Sequence, residues 1–192
     1  IQLILNDKQI AELCQGDKPL ISPFFPTKVK KVNVGEVETK VVSFGNSEFG
    51  YDITLGTEFK IPKPGAILDP KSNNEEDWIS FTTHQPFLMN GNSFLIASVN
   101  ERFQMPLDIE GLGFAKSTYS RIGLEVASFV FEPGWIGYPT IRISNTGPNP
   151  IRIYPKEGFT QIIFFKGEQP ASTYGADGKY QDQKAGAVIA KV

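Results

Sequence analysis

Cysteine and histidine are almost absent from this chain, which has one cysteine (Cys14) and one histidine (His84) in 192 residues. A single cysteine excludes an internal disulfide, so we expect a reducing, cytoplasmic environment. Zinc deaminases hold their metal with one His or Cys and two further Cys ligands, which this inventory cannot supply. His84 has no nucleophile motif beside it and is expected to be a surface or structural histidine.

A surplus of basic residues and long apolar runs are also lacking. The formal net charge is −2, so no cationic footprint predicts a nucleic-acid partner. No apolar run approaches the about 20 residues that span a bilayer, so no membrane partner is expected. Residues 1–5 are too short and lack the basic flank of a signal peptide, and we expect only an initiator Met before them. Hydrophobic residues make up 40%, enough for the core of a single domain over residues 1–192.

The order of predicted elements indicates an all-β fold. Asn6 and Asp7 precede Ile10 and Leu13 at helical spacing, which predicts a short N-capped helix that ends near Gly16. Short β-rich segments between Gly, Pro and Asn turns then follow, which is typical of a sandwich or barrel. These segments are residues 40–44, 51–61, 93–99, 129–131, 138–144, 151–154 and 160–165. The polar tail, residues 167–192, is expected to be an arm.

A run of cations and hydroxyls is a candidate for phosphate binding. Residues 116–121 read Lys-Ser-Thr-Tyr-Ser-Arg and follow Gly111 and Gly113. Lys and Arg neutralise phosphates, while hydroxyls and the N–H groups of a helical turn donate to phosphate oxygens. The run is not a Walker A loop, because the Gly before the Lys is missing. A solvated turn is the alternative interpretation.

A Pro-Gly pair predicts a turn within residues 132–135 (Glu-Pro-Gly-Trp). If this pair forms the loop of a hairpin, Glu132 pairs with Trp135 and Glu125 lies opposite Arg142. A bulge would shift that register. Further on, residues 174–183 place a Lys and aromatics between glycines, which suits closure over a ligand. The alternative for this tail is a disordered terminus.

Residues 49–53, 115–123, 131–137 with 141–147, and 174–183, in this order, resemble the dCTP deaminases and, more distantly, the trimeric dUTPases. The Lys-Ser-Thr-Tyr-Ser-Arg run, the Phe-Glu-Pro-x-Trp turn and the Ser-Asn-Thr stretch match one deaminase branch without gaps. The resemblance implies a distorted jelly-roll-like β-barrel with a short N-terminal helix and a C-terminal arm. It also implies a homotrimer with three active sites between subunits, and a magnesium-bound deoxynucleoside triphosphate as the ligand.

The resemblance further implies a role for each matching residue. The nucleotide-binding set is Lys116, Ser117, Thr118, Gln161, Glu132, Trp135, Tyr174, Lys179 and Gln183. The first four would hold phosphates, the next two would line the sugar and base pocket, and the last three would close over the triphosphate. Ser117 and Arg121 would also line the reaction centre. In the dUTPases an Asp at the place of Glu132 orients the attacking water, and magnesium would bind through the triphosphate.

Arg142 departs from the deaminase pattern. Deaminating cytosine adds water at C4 and expels ammonia, so a group must take a proton from water and pass it to the leaving nitrogen. In the deaminases a Glu does this in a Thr-Leu-Glu-Phe-Ser-Asn-like strand, whereas residues 140–145 read Thr-Ile-Arg-Ile-Ser-Asn. A guanidinium has a pKa above about 12 and cannot be that base. Loss of a general base costs about 10²–10⁴ in rate, so negligible dCTP deamination is expected.

Glu125 has two interpretations. Opposite Arg142 it would form a structural ion pair of roughly 0.2–1 kcal/mol, which would favour its carboxylate form. Alternatively, it is a relocated base. A cation in the base pocket should favour an acceptor-rich edge, such as uracil O4 or guanine O6, over the amino group of cytosine.

Three functions follow from these residues. The first is a hydrolase of deoxynucleoside triphosphates in which Glu132 orients water. The second is a catalytically inactive protein that binds a nucleotide as a regulator, sensor or sponge. The third is an interaction module that kept only the barrel, which is disfavoured because Lys116, Arg121 and Lys179 would then have no use. The sequence does not separate the first two.

Overall fold

The structure is a computed structural model, and it describes residues 3–175 and 177–191. Ile1, Gln2, Ala176 and Val192, which the expected domain and arm include, lie outside the described residues. The α-helices are α1 (Asp7–Leu13) and α2 (Ser117–Ser120), and a 3₁₀ turn covers Glu75–Asp77. The strands, in chain order, are β1 Ile21–Ser22, β2 Val29–Val34, β3 Val37–Ser47, β4 Gly50–Pro62, β5 Trp78–Thr82, β6 Phe87–Met89, β7 Ser93–Val99, β8 Arg102–Gln104, β9 Ile109–Ala115, β10 Leu124–Val126, β11 Phe129–Phe131, β12 Ile136–Gly137, β13 Thr140–Asn145, β14 Ile151–Ile153 and β15 Gly158–Lys166.

The helix α1 begins where the sequence predicts it. The Asn6 side chain accepts a hydrogen bond from the Gln9 backbone N–H at 3.1 Å, and Gln9 Oε1 accepts one from the Asn6 N–H at 3.1 Å. This capping box satisfies two of the N–H groups that a helix leaves without intrahelical partners. Ile10 is buried beneath the helix, and Leu5 N–H donates to the Phe164 carbonyl. These contacts attach the start of the chain to β15.

The longest strand, β4, joins the two halves of the main sheet. That sheet has the order β10-β13-β7-β4-β15-β9-β11. The first half of β4 pairs with β3 and β15, and its second half pairs with β5 and β7. Its register with β7 shifts between Leu55 and Phe59, where Ser98 Oγ bonds both the N–H and the carbonyl of Glu58 at 3.1 Å. Such a bulge bends and twists a strand, so the sheet curls towards a barrel.

Aromatic side chains from both halves of the sheet fill the interior. Tyr51, Phe59, Phe103, Phe159 and Phe164 are each no more than 1% exposed. Burial of an apolar side chain of this size contributes roughly 1.5–3 kcal/mol to folding. The all-β, barrel-like prediction is confirmed, and each of the seven predicted β segments coincides or overlaps with an observed strand. His84 is exposed, as expected for a surface histidine.

The predicted hairpin register is wrong, although its turn is present. Trp135 N–H donates to the Glu132 carbonyl at 3.0 Å, and Gly134 has a φ of 83°, which glycine adopts without strain. The flanking strands then separate, because β11 pairs with β9 and β12 pairs with β8. Only β10 and β13 pair with each other, and Glu125 lies opposite Ser144 rather than Arg142. The chain between them leaves the ladder and returns two residues away from the predicted register.

No helix in the described part of the chain combines the length and apolarity needed to cross a bilayer.

A carboxyl group is buried where β4 passes the β7–β8 connection. Glu101 is fully buried and accepts hydrogen bonds from Thr54 N–H at 3.0 Å and Thr54 Oγ1 at 2.9 Å. Burial raises the pKa of Glu101 from 4.5 to about 7, because desolvation penalises the carboxylate more than these bonds stabilise it. The folded state therefore binds this proton more tightly than the unfolded chain.

We expect the contribution of Glu101 to stability to be full below pH 4.5, to fall as the pH rises, and to be lost above about pH 7. The total fall is about 3 kcal/mol by linkage. Glu101→Gln should remove this part of the pH dependence, since Gln does not titrate and keeps an oxygen for Thr54. Urea unfolding between pH 4.5 and 8 measures it. Glu36→Gln, an exposed substitution, is the control, and a Glu101→Gln profile parallel to wild type would contradict the assignment.

Candidate functional site

A cavity of about 480 Å³ opens where β11 and β13 meet the C-terminal arm. Five of the residues that the family resemblance implies lie around it: Glu132, Trp135, Arg142, Tyr174 and Gln183. Its volume lies within the range of small-molecule sites, which are mostly apolar with a few convergent polar groups. The rest of its wall follows that pattern, with aromatic and aliphatic side chains from β7, β11 and the arm.

The turn at residues 132–135 positions two of the cavity residues, Glu132 and Trp135. Trp135 is buried against Phe131, with ring centroids 5.3 Å apart, and its Nε1–H donates to the Tyr180 carbonyl at 2.9 Å. Glu132 is exposed at the end of β11. Within the described residues its side chain forms no hydrogen bond or ion pair. Its carboxylate is thus available to a ligand.

Arg142 reaches the cavity from the outward face of β13. Its cross-strand neighbour on β7 is the apolar Ile96, and its Nη1 donates to Ser144 Oγ at 2.9 Å. Among the described residues no carboxylate lies within 4 Å of the guanidinium, so the predicted Glu125–Arg142 ion pair is absent. The cause is the register of β10, which places Glu125 opposite Ser144. The cation therefore faces the cavity with its charge uncompensated by a protein partner.

The arm lies against the segment that carries the turn. Asp182 N–H donates to the Ile136 carbonyl at 2.9 Å, and Tyr138 N–H donates to the Gln183 carbonyl at 3.0 Å. The Gln183 amide also donates to the Tyr138 carbonyl at 2.7 Å. Tyr174 OH accepts the Tyr180 N–H at 2.9 Å, which closes the arm on itself. Tyr174 and Gln183 therefore border the cavity and also hold the arm in place.

The end of the arm forms a wall of the cavity that no sequence pattern predicted. Val188 N–H donates to Thr140 Oγ1 at 3.0 Å, and Thr140 Oγ1 donates to the Gly186 carbonyl at 3.2 Å. Ile189 is buried beside the cavity. No recognisable motif marks these small apolar residues, so only the folded contact identifies them.

The predicted phosphate residues form a second group, outside this cavity. Lys116 lies at the N-cap position of α2, and its Nζ forms an ion pair with the buried Asp52. Lys28 Nζ lies 3.7 Å from the same carboxylate, a contact that the sequence pattern did not indicate. Gln161 on β15 pairs with Asp52 on β4 and lies beside this cluster.

The remaining predicted residues are exposed. Ser117, Thr118 and Arg121 lie on the surface of α2 or at its end. Lys179 is exposed on the arm, where its carbonyl accepts a hydrogen bond from Lys191 Nζ at 3.0 Å. A single chain thus brings together residues predicted for the base pocket and, elsewhere, residues predicted for phosphate binding, without joining the two groups.

The part of the chain that the structure describes has no cluster of three or more His, Cys, Asp or Glu side chains able to hold a metal ion. Its residues therefore fit magnesium only as an ion that enters on phosphate oxygens, which are ligands that it prefers.

Comparison with known proteins identifies the family. A family model described as dCTP deaminase-like matches residues 4–167. The chain belongs to the dCTP deaminase-like family. It is 41% identical over 183 residues to a dCTP deaminase of Campylobacter fetus subsp. fetus, with 93% of each chain covered. It is 38% identical over 193 residues to a dCTP deaminase of Acidobacterium capsulatum, with 98% of this chain and 99% of the relative covered.

The fold of this dCTP deaminase-like chain also has a solved counterpart. The crystal structure of 2′-deoxycytidine 5′-triphosphate deaminase from Agrobacterium tumefaciens matches 86% of this chain with a TM-score of 0.61 and 17% sequence identity. The present chain spans 48% of the length of that protein.

Gly137 is the point where a side chain would separate the arm from the barrel. Its φ is 150°, and a Cβ there would lie 2.9 Å from Gln183 N and 3.0 Å from Trp135 Cζ2. We expect Gly137→Ala to release the arm and to speed tryptic cleavage after Lys179 and Lys184 several-fold. Gly167→Ala is the matched control, because a Cβ there meets nothing within 4 Å. Equal cleavage rates in wild type and both variants would show that the arm is not held by this contact.

Proposed function

We propose that this chain binds a magnesium-bound deoxynucleoside triphosphate in deoxynucleotide metabolism and does not deaminate dCTP. Family membership and 38–41% identity to dCTP deaminases support the ligand class. The proposed lack of dCTP deamination rests on the position of Arg142. Its side chain borders the same cavity as Glu132, Trp135 and Tyr174.

The cavity has the chemistry of a nucleoside site. Trp135 and Tyr174 provide aromatic surfaces for a base or a sugar, and stacking on such rings does not depend on which base is present. The carboxylate of Glu132 can accept a hydrogen bond from a sugar hydroxyl. Magnesium bound through the triphosphate would neutralise part of the phosphate charge. Lys179 and Gln183 are four residues apart on the arm, and we expect both to contact the triphosphate.

The cavity has no carboxylate at position 142, where the deaminase pattern has its base. Its charged lining residues are Glu132 and Arg142, and a guanidinium stays protonated near neutral pH. Glu125 lies opposite Ser144 and is not part of the cavity wall. The interpretation of Glu125 as a relocated base therefore has no support. Glu132 provides the carboxylate among the lining residues of the cavity.

A homotrimer would join the two groups of site residues. Phe114 on β9 and Val130 on β11 are 41% and 47% exposed. Leu112 lies between them, opposite Val130 and Ile163, so these side chains form one apolar outer face. Contiguous exposed apolar faces mark interaction sites. Because Val130 also borders the cavity, a second copy seated on this face would stand beside the base pocket and could present its α2.

Hydrolysis of the triphosphate is a second candidate function. The Glu132 carboxylate borders the cavity without a protein partner among the described residues, and a carboxylate can orient water by accepting its proton. If that water attacks the α-phosphorus and the bond to the bridging oxygen of the β-phosphate breaks, a deoxynucleoside monophosphate and pyrophosphate result. If no such geometry forms, the chain binds the nucleotide without turnover, as a regulator or sponge.

Incubation with each deoxynucleoside triphosphate and magnesium, followed by separation of the products, tests the proposal. We expect no dUTP and no ammonia from dCTP. Pyrophosphate release would support the hydrolase, and binding without any product would support the regulator. Ammonia release from dCTP would overturn the proposal.

Arg142→Glu restores a carboxylate at the same place, so we expect dCTP deamination to rise by about 10² or more over wild type. Arg142→Gln is the matched control, since it removes the cation without adding a base. A gain in Arg142→Gln equal to that in Arg142→Glu would contradict the role given to the carboxylate.

The apolar outer face has a separate test. We expect sedimentation analysis to give three times the chain mass for wild type, and a smaller mass with weaker nucleotide binding for Phe114→Asp. Ile67→Asp is the control, because Ile67 is 86% exposed in a surface loop. A monomeric wild type would contradict the proposed trimer. A trimeric Phe114→Asp variant would exclude this face as the trimer interface.

A further inference from the structure

We propose that Arg142 selects the base, so that nucleotides with keto bases (uracil, thymine, guanine) bind in preference to those with amino bases (cytosine, adenine). The inference rests on the proposed nucleotide binding and adds the class of base that the same cavity accepts. It concerns recognition rather than catalysis, because the guanidinium neither gives up nor takes a proton in binding.

The guanidinium is held in place and is not neutralised. Ile141 and Ile143 point into the core, so Arg142 between them must point outward. Ser144 Oγ accepts one of its N–H groups at 2.9 Å. A guanidinium has five N–H donors, so the remaining donors are available to a ligand. No carboxylate within 4 Å competes for them among residues 3–175 and 177–191.

The donors match one class of base edge. Uracil and thymine present O4, and guanine presents O6, and these oxygens accept hydrogen bonds. Cytosine and adenine present an amino group at the corresponding position, and an N–H donor facing an N–H donor leaves both without a partner. A fixed donor at the base edge therefore rejects amino bases as well as attracting keto bases.

A phosphate oxygen is the other acceptor that could occupy these donors. The apolar surroundings of Arg142 argue for the base, because Ile96 lies opposite it and Ile189 and Val188 border the same cavity. The cationic residues that the resemblance assigns to the triphosphate, Lys116 and Lys179, are not part of the cavity lining. The two sources differ in one measurable way, since a base contact makes the affinity depend on the base and a phosphate contact does not.

Calorimetric titration with the five α,β-imido triphosphates of deoxyuridine, thymidine, deoxyguanosine, deoxycytidine and deoxyadenosine, with magnesium, tests the inference without turnover. We expect the keto nucleotides to bind about tenfold or more tightly than the amino nucleotides. In Arg142→Met this ratio should fall to near one. Arg152→Met is the matched control, because Arg152 is an exposed strand arginine away from the cavity, and it should keep the wild-type ratio.

Ser144→Ala tests the positioning of the guanidinium. Its side chain no longer accepts the Nη1 hydrogen, so we expect the keto-to-amino ratio to decrease while binding itself persists. A loss of affinity that is equal for all five nucleotides would instead indicate a merely structural role for Ser144.

The outcomes separate this inference from the proposed function. If none of the five nucleotides binds, the proposed function fails. If all bind but dCTP binds as tightly as dUTP, or if the ratio survives in Arg142→Met, only the inference fails. If Arg142→Met weakens all five and inorganic tripolyphosphate by the same factor, Arg142 is a phosphate ligand and base selection is overturned.

Discussion

β13 is fixed in register on both sides, by β7 along its whole length and by β10 at its end. Its inward side chains, Ile141 and Ile143, are almost completely buried. Because side chains alternate along a strand, a slip of one residue would bury Arg142 and expose both isoleucines. Burial of a guanidinium without a counter-ion costs far more than any surface contact returns. Packing of the core therefore determines the direction of the Arg142 side chain, and this direction places the guanidinium at the cavity.

The same outward face of β13 also holds the arm. Thr140 lies two residues before Arg142 and shares its side of the strand. Its hydroxyl accepts hydrogen bonds from Gln183 Nε2 and Val188 N–H and donates to the Gly186 carbonyl. Arm closure and cation placement thus depend on one strand face. A ligand that moves the arm would act on the residues that border Arg142, and a change in β13 would alter both.

Interactions between neighbouring residues allowed much of the fold to be predicted from the sequence. The features that were not predicted depend on pairing between segments far apart in the chain. Asn6 with Gln9 predicted α1, and the Pro-Gly pair predicted the turn at Glu132, because capping boxes and turns involve neighbouring residues. The predicted Glu125–Arg142 pairing was wrong because β11 and β12 pair with β9 and β8 instead. No local sequence pattern indicates these long-range partners. β9 was not predicted as a strand: its Gly113 leaves room for the Phe129 ring, which a Cβ would meet at 2.2 Å. The ion pair of Lys116 with Asp52 likewise joins segments far apart in sequence.

In the function proposed here, the residue at position 142 makes the cavity a recognition site rather than a proton-transfer site. With glutamate there, as the deaminase pattern has it, the lining would carry two carboxylates and could accept a proton from water. With Arg142 the formal charges of the lining cancel, and it holds one fixed donor and one acceptor. A base carries no net charge, so in the proposed site the hydrogen-bond pattern rather than ionic attraction would decide which base fits. The aromatic walls, the turn and the arm need no alteration for this change, since none of them contacts the guanidinium through a charged group. One substitution on an otherwise retained scaffold would therefore account for both proposed properties, the loss of deamination and the altered base preference.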